Sequence, residues 1–383
     1  MNTFQNKRLT NFDFLKGFVV FLALMEHFAY SLNHWYIWPR QNYQHAESSL
    51  FSFHQQFIGE PISTDGLGVF LCWFFIPWVS QIYLCLAAFA QAKQSQVVFK
   101  KTYRKKLYLY SWLFILFLAE NAFVSENSGV MFSFYPLLAW MVILITLTLM
   151  YRFLGIRWIA LFYVLSLFHP LTNIDLFFDQ IELFIQSNFH ADFEYDARIH
   201  YFFSSGSLGF ILGYIHYQLK GFNQIGNIHS KKITMGLLTI AFLMYSIWWI
   251  FGSSFLVDPT DVLRHEHDFN LSVTGILFNQ SVQIFLLTTL LILHFKNIHI
   301  PGRFFIWIGI NSLLVFFTHR LFFLEIIGPI REIVGGIMHW KMTAYALEVI
   351  FYCLLSIAMS YAVTKSPLPL LLFGRSSSKT DRQ

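Results

Sequence analysis

Asn11-Phe-Asp-Phe-Leu-Lys16-Gly-Phe-Val-Val-Phe-Leu-Ala-Leu-Met-Glu-His27 is apolar enough to enter a bilayer, yet it carries Asp13, Lys16, Glu26 and His27. Ionisable residues inside a membrane are costly and usually face a protein interior or a wet cavity, so they read as a candidate functional site. His27 lies eleven positions after Lys16. That is about three turns of helix, so the two share one face, roughly 16 Å apart along the axis. The stripe starts near one membrane surface and ends well inside the bilayer.

Working outward, the whole chain shares this character. Of its 383 residues 56% are hydrophobic, 20% aromatic and only 12% charged, and its mean hydropathy is +0.52. Repeated long apolar runs in such a composition predict a polytopic membrane protein of the all-α class. Cys72, Cys85 and Cys353 all lie in apolar runs and supply neither a disulfide framework nor a metal spacing. Lys7 and Arg8 precede the first apolar stretch, which lacks a small-residue cleavage site and reads as a retained helix.

Ten segments of about 20 residues fit the hydrocarbon thickness. They are 13–32, 67–91, 106–124, 131–152, 157–172, 200–218, 233–256, 271–294, 303–325 and 342–364, the fifth being short. With the N-terminus in the cytoplasm, only Arg40, Arg198, Arg264, Arg331 and Lys341 of the 26 basic residues fall in outer segments. Lys16 and Arg320 lie within spans, and the remainder are cytoplasmic, which is the positive-inside pattern. The outer loops 33–66 and 173–199 are long and polar, and the second carries Asp175, Asp179, Glu182, Asp192, Glu194 and Asp196. Both termini are expected inside, with residues 1–383 forming one transmembrane domain and 366–383 a polar cytoplasmic tail.

This topology sets depths. His27 lies roughly 20 Å up the first span, Glu120 a similar distance up the third, and His319-Arg320 roughly 24 Å up the ninth. Three helices therefore place these groups at one level in the outer half. A histidine beside a carboxylate has the parts of a general base that strips a proton from a hydroxyl. The bland alternative for each is a structural polar residue bonded to a neighbouring helix. Lys16 with Asp13 reads first as a snorkelling i,i+3 ion pair, with a cation holding a donor phosphate as the functional alternative. The basic run Lys93 to Lys106 serves as a topology signal on anionic lipid and could also attract a polyanionic cofactor. In Arg264-His-Glu-His-Asp268 the two histidines alternate in a wet loop and read as solvated, so no metal is expected. Gly209 and Gly213 have the small-residue spacing of close helix packing.

Asp13-Phe-Leu-Lys16-Gly17 followed by Met25-Glu26-His27 resembles the first helix of the transmembrane acyltransferase superfamily. That group includes the acyltransferase-3 polysaccharide O-acetylases and the heparan-alpha-glucosaminide N-acetyltransferase-like membrane proteins. Lys16 and His27 fit the spacing of basic residue and histidine found in the former. Arg104-Lys-Lys-Leu with Leu118-Ala-Glu120-Asn121 and Phe132-Ser-Phe134, then Gly209-Phe-Ile-Leu-Gly-Tyr214, then Ile308-Gly-Ile-Asn311 leading to His319, resemble the latter in the same order. The family often has a glycine in span 2 where this chain reads Leu86-Ala87-Ala88, and an arginine entering that span that is absent here.

The resemblance implies transfer of an acyl group, usually acetyl from cytoplasmic acetyl-CoA, to an extracytoplasmic saccharide or glycolipid. His27 is then the base or acyl carrier, Glu120 orients a histidine and His319 is an alternate base. Lys16, with Asp13, and the basic residues Arg104 and Arg320 are the expected donor contacts. The expected partners are acyl-CoA, the glycan acceptor, membrane lipid and, as an option, a second copy in a homodimer, with no nucleic acid. A bacterial inner membrane is the expected location. The rival readings are a proton-coupled transporter or flippase, whose histidines and glutamate would relay protons, and a degenerate relative acting as sensor or assembly partner.

Overall fold

The computed structural model describes residues 9–36, 64–92, 96–128, 132–133, 136–172, 174–189, 193–194, 199–218, 228–252, 273–325 and 341–368. Over these the protein is all-α. The helices are α1 (Thr10–Tyr36), α2 (Thr64–Ala92), α3 (Gln96–Ser128), α4 (Pro136–Phe153), α5 (Ile156–Leu167), α6 (Ile174–Phe189), α7 (Ile199–Gln218), α8 (Ile228–Gly252), α9 (Val273–Phe295), α10 (Arg303–Ile310), α11 (Ser312–Glu325) and α12 (Lys341–Thr364). A two-residue parallel pairing joins β1 (Phe132–Ser133) to β2 (Phe193–Glu194). α4 and the Gly275–His294 part of α9 are each long and apolar enough to cross a membrane, and Trp78–Ala92, Ile156–Leu167 and Val349–Thr364 are shorter apolar helices.

Helix is present at each of the ten apolar segments, with two departures. The segment 173–199, expected to be a polar loop, contains α6 and β2. Its acids hid a helical period: Asp179, Glu182 and Gln186 share one side, while Leu176, Phe177, Leu183 and Phe184 form another and are exposed. Phe178 stacks on His200 of α7 with ring centroids 4.8 Å apart, and His200 meets buried His169 edge to face at 5.0 Å. The second departure is in the ninth segment, which breaks at Asn311 into α10 and α11. There the side-chain amide of Asn311 donates to the Trp307 carbonyl at 2.9 Å, and its backbone N–H is shared between Trp307 and Ile308. A side chain inserted into the hydrogen-bond ladder in this way interrupts a helix.

The chain divides into two compact units, one of residues 1–12, 80–254 and 266–301, the other of 13–79, 255–265 and 302–383. In the first unit α7 is central. A Cβ at Gly209 would collide with the Cys85 carbonyl of α2, and one at Gly213 with the Phe89 carbonyl one turn on. The glycine spacing thus does what the sequence predicts and brings two backbones together. Fully buried Phe99 and Phe210 close against Tyr151 at 4.6 and 5.1 Å. Packing of this kind, not water expulsion, is what holds helices together in lipid. The start of α1 joins the same unit through Asn11, which is fully buried. Its amide donates to the Ile298 carbonyl at 2.8 Å and accepts from the Ile300 N–H at 3.0 Å. α8 turns Met235, Phe242, Leu243, Ile247 and Ile250 outward.

In the second unit α1 crosses α10 at glycines. A Cβ at Gly17 would overlap the Phe305 carbonyl, and one at Gly309 the Asp13 carbonyl. Phe14 and Phe18 then meet Phe305 edge-on at 5.4 and 5.5 Å. α11 and α12 are joined by a hydrogen bond between Thr318 and Ser360, and by general side-chain packing.

Candidate functional site

Of the residues singled out in the sequence, Asp13, Lys16, His27, His319 and Arg320 belong to the second unit. Asp13 and Lys16 lie half-buried on α1, one turn apart, at the glycine crossing with α10. Gly17, next to Lys16 in the sequence motif, has a packing role of its own there. His27 lies further along α1, and its side chain is outside the described residues, as is that of Arg320 on α11. His319 is buried, 1% exposed, with Nδ1 3.2 Å from the Val315 carbonyl and Phe316 against its ring. A proton on Nδ1 directed at that carbonyl leaves the basic lone pair on Nε2.

Glu120 belongs to the first unit. It is 4% exposed beside buried Asn121 on α3, after Leu113 and Phe117 on the same helix. An ionised carboxylate at such a place costs several kcal/mol unless hydrogen bonds or a cation offset its lost water, roughly as for other buried ions. The Arg264–Asp268 stretch and the expected loop 33–66 lie outside the described residues, apart from the last turn of α1 and the first residues of α2. Among the described residues, no group of three or more His, Cys, Asp or Glu could hold a metal ion. Cys85 and Cys353 are free thiols in the core.

The sequence reading missed a neutral polar knot in the first unit, centred on Ser205 of α7. The Ser205 hydroxyl donates to Gln81 Oε1 of α2 at 2.7 Å and accepts from Gln283 Nε2 of α9 at 2.8 Å. It accepts a second, longer bond from Gln280 Nε2 at 3.4 Å. Gln280 also donates to Ser204 at 3.2 Å and accepts from the Tyr163 hydroxyl of α5 at 3.2 Å, while Gln81 Nε2 reaches the Tyr201 carbonyl at 3.3 Å. One donor and two lone pairs are all a hydroxyl has, so Ser205 is saturated. Four helices meet there without a formal charge. Gln283 Oε1 alone of these amide oxygens is enclosed without a partner among the described residues. The signal was present in Ser204-Ser205-Gly206-Ser207 and Asn279-Gln280-Ser281-Val282-Gln283, polar runs inside apolar spans.

Arg104 sits at the opposite extreme, exposed near the start of α3 with Lys100, Lys101 and Lys105. Its Nε donates to the Tyr103 hydroxyl at 3.3 Å. Arg152, in the last turn of α4, places its Cζ 5.2 Å from the same ring. These hydrogen-bond and charge contacts, that of Arg104 first, hold the Tyr103 phenol below its ordinary value. Lys106 is used internally instead: Nζ donates to the Gln91 carbonyl at the end of α2 at 2.8 Å and lies over Phe99. Comparison with family models, curated proteins and solved structures finds no match to this chain.

Proposed function

We propose that the protein is a multi-pass membrane acyltransferase that moves an acyl group, acetyl by preference, from cytoplasmic acyl-CoA to an extracytoplasmic saccharide or glycolipid. The observation that carries this reading is the burial of Glu120 and His319 beside the apolar stretches 113–119 of α3 and 313–317 of α11. Support also comes from the basic inner segments and from the outward apolar face of α8. The ten-span arrangement, both termini inside, a bacterial inner membrane, and a common depth for His27, Glu120 and His319 are parts of the proposal.

In the direct mechanism His27 takes the proton of an acceptor hydroxyl or amine as that group attacks the thioester carbonyl. The tetrahedral adduct collapses, the carbon–sulfur bond breaks, and the CoA thiolate leaves with the proton held by the imidazolium. In the two-step form a His27 nitrogen attacks first, CoA departs, and the acceptor takes the acyl group from the imidazole. Glu120 orients a histidine, and Lys16, Asp13, Arg104 and Arg320 serve the donor.

The test is incubation of the purified full chain with acetyl-labelled acetyl-CoA, beside a His27→Ala variant. CoA release and label transfer are expected in the first and a loss of about a hundredfold or more in the second. Absence of donor binding and of CoA release in the wild type would overturn the reading. The second reading is a proton-coupled transporter or flippase of a glycan or lipid precursor, in which buried Glu120 and His319 would relay protons. Proton-driven uptake of a glycan precursor into proteoliposomes, without CoA chemistry, would decide for it.

A further inference from the structure

We propose that Tyr103, Arg104 and Arg152, flanked by Lys100, Lys101 and Lys105, form a binding site for the phosphate group of an anionic ligand. Both guanidinium groups stand against one phenol ring, with Cζ 6.0 and 5.2 Å from its centroid. Among the described residues, none of these five cations makes an ion pair. Arg152 Nε is enclosed and has no hydrogen-bond partner among the described residues. Like charges gathered this closely repel one another until an anion joins them.

Helix electrostatics sharpens the point. A cation in the last turn of α4 is favoured by the negative end of that helix, which accounts for Arg152 alone. Lys100, Lys101, Arg104 and Lys105 sit in the second and third turns of α3, far from its negative end, so the helix gives them no such counterweight. Lys106, the next residue, shows the alternative the others do not take, since it folds back on the Gln91 carbonyl. A planar guanidinium fork binds two phosphate oxygens at once, and the phenol fixes where the forks stand. The lowered titration of Tyr103 reports the positive field at that spot. Arg104 is shared with the donor role above, yet this site does not require acyl transfer, so either idea can fail without the other.

The experiment places the full chain in nanodiscs of phosphatidylcholine, with or without phosphatidylglycerol. Retained phosphatidylglycerol is counted by native mass spectrometry, and pyrophosphate binding to the phosphatidylcholine sample is followed by calorimetry. The variants are Arg104→Ala with Arg152→Ala, Arg104→Lys with Arg152→Lys, and a control, Lys231→Ala with Lys232→Ala, exposed cations on α8. At least one probe is expected to bind wild type and to lose about tenfold or more in the alanine pair, as a lost charge-assisted fork does. A partial loss is expected in the lysine pair and none in the control. Phosphatidylglycerol as the responding probe identifies a lipid headgroup, and pyrophosphate a soluble phosphate compound. Failure of both probes to bind wild type, or an equal loss in the control, overturns the site. Should the alanine pair fail to fold, full affinity in the lysine pair overturns it as well, since diffuse charge would then suffice.

Discussion

Ser205 and Tyr103 are both polar centres of the first unit, and they are built on opposite plans. Around Ser205 every group is neutral, enclosed and already hydrogen-bonded, apart from one oxygen of Gln283. Around Tyr103 two guanidinium groups gather, Arg104 exposed and Arg152 half-buried, and they have no counter-charge among the described residues. A buried group whose hydrogen-bond valence is filled holds helices together, whereas a cluster with valence and charge left over waits for something from outside. The difference separates a structural polar site from a ligand site without reference to which residue types are present.

The knot can be broken from its scaffold. Gly209→Val puts branched carbons onto the Cys85 backbone, which cannot yield as a flexible side chain would. The expected loss is about 3 kcal/mol or more, seen as a collapse of the unfolding midpoint in detergent or as failure to accumulate. Ser205→Ala strips the acceptor from two glutamine amides and the donor from Gln81. It should cost about 2 kcal/mol, between the modest worth of a hydrogen bond between helices in lipid and the penalty of orphaned groups. Gln283→Leu removes one bond together with the unpartnered oxygen, so a change of less than about 1 kcal/mol is expected. Equal losses for Gln283→Leu and Ser205→Ala would show that the knot is not centred where the hydrogen bonds place it.

The open cluster should respond in the reverse sense. Arg104→Ala is expected to leave the unfolding midpoint in place, because the side chain is solvated and its one bond is to an exposed phenol. A clear drop would mean that Arg104 belongs with Ser205 as a structural residue. The smallest effect concerns pH. With its pKa held below 10.0, Tyr103 carries fewer protons folded than unfolded. Its contribution to stability is therefore present above that ordinary value and lost as pH falls through the lowered one. Ultraviolet titration should show an early phenolate step in the wild type that is missing in Tyr103→Phe.

Much of this was legible in the residues themselves. Long apolar runs located the helices, and the spacing of Gly209 and Gly213 announced the close approach of α7 to another backbone. The knot escaped because sorting spans by charge passes over serine and glutamine, and because which spans meet is set by packing that a single chain of letters does not display. α6 escaped for a related reason, since the acids of segment 173–199 read as solvation while its 3.6-residue period went unweighed. At Asn311 the competition is local, yet an asparagine in an apolar run looks the same whether it points at its own carbonyls or at a neighbour. The burial of Glu120 and His319 followed from their places in apolar spans. Arg152 beside Tyr103 did not, because it depends on how the end of α4 returns to the start of α3.

The pairing of Asn11 with Ile298 and Ile300 has a consequence in time. The two ends of that contact are 287 residues apart in the chain. At roughly 5–20 residues per second of synthesis, on the order of a quarter to a full minute passes before the second partner exists. Throughout that interval the amide of Asn11 has to be satisfied by water or by some passing partner. α1 is thus made well before these partners of its end exist, and a ribosome that stalls before residue 298 leaves Asn11 without them.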